Sequence, residues 1–203
     1  MSTFYLLRHG DAEGNKEEIL LGQLDVPLTE LGRKQAELLG KALSSIAFDA
    51  VFASDLERAR HTAEAVLRHQ KGGEQRCRLV LDRRLREING GTFQGRPISE
   101  FRAYLDNLTE DPYTSVRPGG ESTQLMDQRV ARAFDNICQW YPEGTVAIAT
   151  HLGVIKSIVR YALGMDPQET LPAIKHCSIT VLEQSDSGWR LSRLNDTAHL
   201  ERV

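Results

Sequence analysis

The sequence predicts an α/β fold, a three-layer sandwich with a mainly parallel sheet, helices on both faces and an antiparallel edge. Short apolar runs, which suit strands buried on both faces, alternate along the chain with amphipathic helical patterns. Such alternation is typical of parallel sheets covered by helices. Two strand patterns near the end of the chain flank a turn at residues 185–188, which predicts a hairpin and therefore the antiparallel edge. At 203 residues the length suits one domain, over residues 1–203.

The N-terminal segment predicts both the first strand and the start of a site. Apolar and aromatic residues at positions 4–7 run directly into Arg8, His9 and Gly10. Ligands of open α/β sheets bind beyond the carboxyl ends of the strands, so we expect Arg8 and His9 at a site. Because Gly10 has no Cβ, we expect it to let a ligand approach the backbone closely.

The first helix is predicted after a long polar loop. The loop covers residues 11–25, and a loop of this length without obvious structure is more often functional than idle. Thr29 has the features of an N-cap, with Glu30 in the first turn, and the helix is expected to end near Ser45. Its predicted apolar stripe consists of Leu31, Leu38, Leu39, Ala42 and Leu43.

A second strand and helix follow directly. Residues 48–53 form the strand pattern, and Ser54 and Glu57 have the spacing of a capping box. Arg58 then lies in the first turn of a helix that begins at the end of a strand, which is the same end of the sheet as His9. The predicted buried face of this helix consists of Leu56, Ala59, Ala63, Val66 and Leu67.

The middle of the chain predicts one strand, two helices and a loop. Residues 77–81 form a strand pattern and residues 97–108 a weaker helical pattern. A loop rich in proline and glycine, residues 111–120, is expected near the carboxyl edge of the sheet. Ser122 begins a long amphipathic helix whose apolar positions are Met126, Val130, Ala133, Phe134, Ile137 and Tyr141.

The last third predicts another buried strand, a helix and the hairpin. Residues 145–150 form a strand that ends at His151, and the following helix is expected to stop at Gly164. Residues 178–182 and 189–194 are the two strands of the hairpin.

Composition excludes several classes of function. The net charge is −3, with 40% hydrophobic and 26% charged residues, so there is no electrostatic reason to expect nucleic acid or an anionic membrane as a partner. No apolar run is long enough to span a bilayer, and the first strand begins too early for a signal peptide. Three widely spaced cysteines, Cys77, Cys138 and Cys177, argue against a disulfide framework or a cysteine zinc site. We therefore expect a cytoplasmic protein.

A concentrated positive site is predicted where two strands end. Topology brings His9 and His151 to one edge of the sheet, together with Arg8 and Arg58. The planar guanidinium group matches phosphate oxygens bidentately, and the helix N-termini after Ser54 and His151 add backbone N–H donors. A phosphoryl group is the expected ligand.

This arrangement predicts transfer through a phosphohistidine. The cationic surroundings should depress the pKa of His9 and keep its imidazole nucleophilic near pH 7. Glu87, in a glycine-rich loop, is the best candidate for general acid and base. Each residue also has a structural alternative: His151 as a helix cap, Arg58 as a solvent-facing side chain, Glu87 as a surface salt-bridge partner. No role is assigned to His61, His69 and His176.

Taken together, these segments resemble the histidine phosphatase superfamily, in its phosphoglycerate-mutase-like branch, over essentially the whole chain. The matching motifs are, in chain order, Arg8-His9-Gly10 with Asn15, residues 22–29, residues 54–59 with Thr62 and Ala63, residues 85–88, residues 119–122 and residues 150–153. The resemblance implies that His9 is the phosphorylated nucleophile and Glu87 the proton donor.

The resemblance also implies which residues bind the ligand. Phosphate would be held by Arg8, Arg58, His151 and Asn15. Contacts to the substrate are implied for Asn15, Gly22, Gln23, Arg60 and Leu152. The chain departs from the family at Asp11-Ala12, where the family often has Glu followed by Thr or Ser. Because Ala12 has no hydroxyl, one contact to phosphate or substrate is missing, which bears on substrate identity and leaves the core chemistry intact.

Three functions compete at this point. The first is a phosphatase for monoesters of small metabolites, such as sugar phosphates, acid phosphates or α-ribazole phosphate, with no cofactor and no metal. The second is a phosphoglycerate mutase, and the third is a non-catalytic domain that binds a phosphorylated ligand. The segment of residues 104–120 is short and contains one basic residue, Arg117. Mutases resembling this family have a longer and more basic segment there, so the sequence favours the phosphatase.

Overall fold

A six-stranded sheet forms the centre of the computed structural model, which describes residues 1–70 and 77–201. The strands are β1 (Ser2–Arg8), β2 (Ala50–Ala53), β3 (Leu79–Leu81), β4 (Thr145–Thr150), β5 (Ile179–Ser185) and β6 (Gly188–Asp196). They lie in the order β3-β2-β4-β1-β5-β6. The first four strands pair in parallel, whereas β5 pairs antiparallel with both β1 and β6. The predicted parallel sheet with an antiparallel hairpin edge is confirmed.

The described residues contain five helices, four of which pack on the two faces of the sheet. They are α1 (Glu30–Ala42), α2 (Glu57–Arg68), α3 (Ile98–Asp106), α4 (Thr123–Trp140) and α5 (Leu152–Leu163), with single 3₁₀ turns at Arg83–Leu85, Gly91–Phe93 and Ala198–Leu200. Phe4 and Leu6 of β1 point to the core formed with α4 and α5. Leu7 points to the opposite core, formed with α1 and α2. The central strands are therefore buried on both faces, as their unbroken apolar runs predict.

Three of the predicted helix ends are confirmed. Oγ1 of Thr29 accepts a hydrogen bond from the backbone N–H of Gly32 at 3.0 Å and caps α1. Oγ of Ser122 likewise caps α4 through the N–H of Leu125, at 3.1 Å. The last helix, α5, ends at Gly164, whose φ of 63° is left-handed and favours glycine.

The predicted capping box of α2 is wrong. The helix begins at Glu57, and its N-cap residue is Leu56, which makes no side-chain capping bond. The Ser54 hydroxyl accepts a hydrogen bond from the N–H of Leu56 at 3.3 Å and contacts His151, so it is engaged in the site and not in the helix.

The predicted apolar stripe of α1 is wrong in part. Leu31 is 46% exposed and Ala42 is also exposed, while the buried face consists of Gly32, Ala36, Leu39 and Gly40, with Leu43 directly after the helix. Glycines are needed on this face because the helix lies very close to the loop after β1 at Gly32 and to α2 at Gly40.

The close approach of α1 also changes the explanation of Gly10. A Cβ on Gly10 would lie 2.5 Å from the carbonyl oxygen of Gly32, and a Cβ on Gly32 would lie 1.9 Å from that of Asp11. No side chain can occupy such space. The expectation that Gly10 lets a ligand approach the backbone is therefore wrong. The absence of a side chain at Gly10 allows the backbone of α1 to pack against it.

The loop at residues 111–120 supports the segment that follows β3. The N–H of Thr92 donates to the carbonyl of Pro118 at 2.9 Å, and the N–H of Glu121 donates to that of Asn89 at 3.1 Å. Arg117 donates to the carbonyl of Glu121 at 2.7 Å and lies over the ring of Phe101. The loop thus holds the segment after Glu87 in place.

Candidate active site

His9 lies at the carboxyl end of β1 and is 4% exposed. Its backbone N–H donates to the carbonyl of Thr150, at the end of β4, at 2.9 Å. Its Nδ1 lies 2.7 Å from the carbonyl oxygen of Gly10. Because a carbonyl can only accept, Nδ1 carries the proton and Nε2 keeps its lone pair. The unprotonated nitrogen of this imidazole is therefore Nε2.

The pKa of His9 is held well below its usual value. Burial is the largest cause, followed by the proximity of His151, Arg58 and Arg8. The predicted direction of the pKa shift agrees with the structure, but burial contributes more than the cationic neighbours named from the sequence. At neutral pH the His9 imidazole is uncharged, as a nitrogen nucleophile requires.

His151 faces His9 from the end of β4, with the ring centroids 5.1 Å apart. Its Nε2 lies 2.9 Å from Oγ of Ser54, and it makes no side-chain bond that caps α5. The helix-cap alternative is therefore excluded. Burial, and then the charges of Arg58 and Arg8, hold the pKa of His151 well below its usual value. Its Nδ1 is buried and has no hydrogen-bond partner among the described residues.

Arg58 is 1% exposed, which excludes the alternative of a solvent-facing side chain. Its Nη1 donates to the carbonyl of Leu24 and its Nη2 to the carbonyl of Gly22, both at 2.7 Å. Burial lowers its pKa to about 10, against the attraction of Glu87, so the guanidinium stays charged at neutral pH. Arg8 donates from Nη1 to the carbonyl of Ile174, and burial lowers its pKa too.

Both arginines keep a buried donor for a ligand. Within the part of the chain that the structure describes, Nε of Arg8 and Nε of Arg58 have no hydrogen-bond partner. A buried donor without an acceptor is costly, and a phosphate oxygen would remove that cost. The site therefore has the electrostatic character of a phosphoryl-binding site.

Glu87 follows β3 and reaches the same cavity. Its two carboxylate oxygens accept hydrogen bonds from the N–H groups of Ile88, at 2.9 Å, and of Gly153, at 3.1 Å. A Cβ on Gly153 would lie 2.3 Å from Oε1, so glycine is required where α5 meets this carboxylate. Arg129 fixes the backbone carbonyl of Glu87 at 2.9 Å while pairing with Glu121. The carboxylate of Glu87 is therefore fixed by hydrogen bonds inside the cavity. The alternative of a surface salt-bridge partner is excluded.

The cavity that joins these groups has a volume of about 330 Å³. Its lining includes most of the residues singled out from the sequence, namely Arg8, His9, Asn15, Gly22, Arg58, Glu87 and Leu152. The amide oxygen of Asn15 accepts from the N–H of Ala12 at 2.8 Å, which leaves the amide nitrogen for a ligand.

Three site residues singled out from the sequence lie outside this lining. One is His151, whose ring faces that of His9, and the other two are implied substrate contacts. Nε2 of Gln23 donates to the carbonyl of Glu87 at 3.0 Å, so this side chain supports the wall. Arg60 lies on the outer face of α2, 3.7 Å from Glu64, with its side chain 40% exposed. In this structure neither Gln23 nor Arg60 is placed to touch a ligand in the cavity.

His176 belongs to the site, although sequence reasoning assigned it no role. Its ring centroid is 5.5 Å from that of His9, and its Nδ1 is 3.7 Å from a carboxylate oxygen of Asp11. Burial, and then Arg8, lower its pKa to about 3. The predicted hairpin could have pointed to His176, because it lies just before the first strand of that hairpin. The N–H of Cys177 donates to the carbonyl of Arg8 at 3.0 Å, which holds the adjacent His176 beside β1.

Further residues that line the cavity were not predicted from the sequence. Two basic side chains of α5, Lys156 and Arg160, line the cavity. So do several apolar side chains, namely Ile19, Leu20, Leu21, Ile88, Ile98 and Met126.

In residues 1–70 and 77–201, no group of three or more His, Cys, Asp or Glu side chains is placed to hold a metal ion. Among the helices of the same residues, none has the length and hydropathy needed to cross a bilayer.

The fold and the site define an α/β protein whose sheet edge carries a cavity lined by a histidine, two arginines and a carboxylate, with a second histidine facing the first. A model of the histidine phosphatase superfamily (branch 1) matches residues 4–197, and the chain belongs to this superfamily.

Curated relatives and solved structures agree with this membership. The chain is 38% identical over 135 residues to a protein of Xenopus tropicalis named fructose-2,6-bisphosphatase TIGAR, a match that covers 66% of this chain and 49% of the relative. It is 32% identical over 215 residues to the probable phosphoglycerate mutase GpmB of Salmonella choleraesuis, covering 99% of this chain and 96% of the relative. The chain thus spans about half the length of the first relative and nearly all of the second.

Two solved structures have the same fold over nearly their full length. Bacillus stearothermophilus YhfR superposes with a TM-score of 0.87 at 30% identity, covering 99% of this chain and 100% of that one. The mycobacterial glucosyl-3-phosphoglycerate phosphatase Rv2419c, in a structure with VO3, superposes with a TM-score of 0.83 at 26% identity, covering 96% and 99% of the two chains.

Proposed function

We propose that the protein is a phosphatase that hydrolyses phosphate monoesters of small metabolites through a phosphohistidine at His9. The observation that carries the proposal is the unprotonated Nε2 of His9, in a cavity that Arg8, Arg58 and Glu87 also line, with the ring of His151 facing that of His9. Relatives named as phosphatases support it, including a solved structure matched over 96% of this chain.

The first step forms a bond from Nε2 of His9 to phosphorus and breaks the bond from phosphorus to the ester oxygen. The carboxyl group of Glu87 gives its proton to that oxygen, and the alcohol leaves. Arg8 and Arg58 stabilise the charge on the equatorial phosphoryl oxygens, as does an N–H of His151.

The second step returns the enzyme to its starting state. The Glu87 carboxylate takes a proton from water, whose oxygen attacks phosphorus as the bond to Nε2 breaks. Inorganic phosphate leaves, His9 is again a free imidazole, and Glu87 is again protonated.

A mutase is the main alternative, and one relative is named as such. The segment 104–120 argues against it, because its one basic residue, Arg117, is only 6% exposed and already donates to the carbonyl of Glu121 and to Oγ1 of Thr123 at the start of α4. A non-catalytic binding domain is less favoured, because both His9 and Glu87 are present and face the cavity.

We further propose that residues 1–203 act as one domain, without a metal, in the cytoplasm. A family match from residue 4 to residue 197 supports one domain. The arginines and histidines supply the positive charge that a metal brings elsewhere, and free Cys77, Cys138 and Cys177 suit a reducing compartment. The proposed partner is a small phosphorylated metabolite, since a net charge of −3 favours neither nucleic acid nor an anionic membrane.

The test is a panel of phosphorylated metabolites, assayed for phosphate release and for isomer formation in the same reactions, with and without chelator. We expect phosphate release from at least one sugar or acid phosphate, unchanged by chelator. Incubation of 3-phosphoglycerate with a catalytic amount of 2,3-bisphosphoglycerate should give little 2-phosphoglycerate. Isomer formation that outpaces hydrolysis of every substrate would establish the mutase instead.

A further inference from the structure

A second cationic group lines the cavity, on the same helix that His151 begins. Lys156 and Arg160 lie four and eight residues after Leu152, the first residue of α5, and all three line the cavity. At a rise of about 1.5 Å per residue, they lie roughly 6 and 12 Å further along the helix axis. The two cations are therefore set apart from the phosphoryl-binding end.

Among the described residues, these two cations have a single ion pair with a carboxylate, the long pair of Arg160 with Asp127. Nζ of Lys156 donates to a neutral acceptor, the carbonyl of Leu171, at 2.8 Å. Arg160 lies 3.9 Å from Asp127, which is too long for a hydrogen bond, and its buried Nε has no partner. Like charges four residues apart on a helix repel each other.

Burial adds to this electrostatic cost. The Arg160 side chain is 13% exposed. The pKa of Lys156 is lowered first by burial and then by the charge of Arg160. An anion would stabilise this pair of partly buried like charges. None of the side chains that line the cavity beside them places a carboxylate at bonding distance.

The other side chains that line the cavity provide few hydrogen-bonding groups for a polyhydroxylated substrate. Arg117, the one basic residue of the segment 104–120, already donates to the carbonyl of Glu121 and to Oγ1 of Thr123. Apolar side chains supply much of the remaining surface, including Leu20, Ile88 and Met126. Among the lining residues, Lys156 and Arg160 are therefore the strongest candidates for recognising a polar group remote from the ester.

We propose that Lys156 and Arg160 bind a second anionic group of the substrate, so that the preferred substrates are phosphate monoesters that also carry a carboxylate or a second phosphate. This inference rests on the proposed phosphatase function and names its substrate class. The names of two relatives refer to ligands of this kind: fructose 2,6-bisphosphate has two phosphates, and phosphoglycerate has a carboxylate.

The test compares substrates that differ only in the second group. The pair 3-phosphoglycerate and glycerol 3-phosphate isolates the carboxylate, and the pair fructose 1,6-bisphosphate and fructose 6-phosphate isolates the second phosphate. For at least one pair we expect the anionic member to have a kcat/KM about tenfold higher, mainly through KM, as a charge-assisted contact provides.

Variants then locate the preference. Lys156→Gln and Arg160→Gln remove charge and keep a hydrogen-bond donor, so the Leu171 carbonyl can still be satisfied. In the double variant the kcat/KM ratio of the preferred pair should fall at least fivefold, and Lys156→Arg should retain it. Lys34→Gln is the matched control, because it removes one charge from an exposed pair with Glu30 on α1 and should leave the ratio unchanged.

A binding measurement separates this inference from the proposed function. His9→Ala should bind 3-phosphoglycerate more tightly than glycerol 3-phosphate, or the bisphosphate more tightly than the monophosphate, by calorimetry. Equal affinities in both pairs, or a preference that survives in the double variant, would overturn the second anion site. If the wild type hydrolyses nothing while the binding preference is present and is lost with both charges, the phosphatase proposal fails and the site stands.

Discussion

The hydroxyl of Ser54, directly after β2, lies 2.9 Å from Nε2 of His151, directly after β4, although 97 positions separate the two residues. The serine oxygen already accepts from the N–H of Leu56, so its own proton has His151 Nε2 as the acceptor at hand. In that arrangement Nδ1 of His151 carries the imidazole proton and remains a buried donor. We propose that Ser54 thereby orients this N–H of His151 as a donor for the phosphoryl group.

Loss of this hydroxyl should lower the rate while leaving the fold intact. We expect Ser54→Ala to reduce kcat about fivefold, because a hydrogen bond of this kind contributes about 1 kcal/mol. The ¹⁵N chemical shifts of His151 should show loss of the Nδ1–H tautomer, which a merely structural role would not produce. Ser44→Ala, which removes an exposed hydroxyl bonded to Lys41, is the control. Unchanged tautomer and kcat would refute the positioning role.

The proposed nucleophile predicts a trappable phosphoenzyme. Rapid quench of the wild type with substrate should yield phosphate bound to protein that is labile in acid and stable in base. His9→Ala should retain less than about a thousandth of wild-type activity, because removal of a nucleophile commonly costs more than that. His61→Ala, at a partly exposed position on α2, should behave as wild type. Higher residual activity in His9→Ala would require a different nucleophile.

The proposed general acid predicts a dependence on the leaving group. Glu87→Gln should slow hydrolysis of alkyl phosphates by about 10²- to 10⁴-fold, because a poor leaving group needs protonation in the transition state. p-Nitrophenyl phosphate, with its better leaving group, should be affected much less. Glu64→Gln on the outer face of α2 is the control. Equal losses for both substrates would point to another acid.

Three buried histidines predict acid sensitivity of the fold. Burial lowers the pKa of His9, His151 and His176 in the folded state, to about 3 for His176, relative to about 6.5 in the unfolded chain. The unfolded chain therefore binds more protons below pH 6.5, so the free energy of unfolding falls as pH decreases from 6.5 towards 3. Each histidine contributes a slope of up to about 1.4 kcal/mol per pH unit.

Urea unfolding between pH 4 and pH 7 measures this slope. His176→Asn should make the slope shallower than that of the wild type, because Asn does not titrate. Ser44→Ala should leave the slope unchanged, since it removes an exposed hydroxyl and no titratable group. Parallel curves for wild type and His176→Asn would show that the pKa of His176 is close to its unfolded value.

Local signals in the sequence determined the layout of the fold. Buried strands were predicted from apolar runs, and Thr29, Ser122 and Gly164 were predicted at helix ends, because these signals act within a few residues of the backbone they stabilise. Parallel topology then brought His9 and His151 to one edge, since strands of one sheet end together. Membership of the superfamily followed from motifs that are themselves short and local, and it is confirmed.

Tertiary structure alone decided contacts between segments remote in the chain. Whether Ser54 caps α2 or orients His151 depends on the register of β2 against β4, which no local spacing contains. The place of His176 beside His9 depends on how β5 pairs with β1, and the contact of Gly10 with Gly32 depends on the depth at which α1 packs. Side-chain direction in the cavity is likewise a property of packing, because spacing along a chain says which residues share an element but not what that element faces.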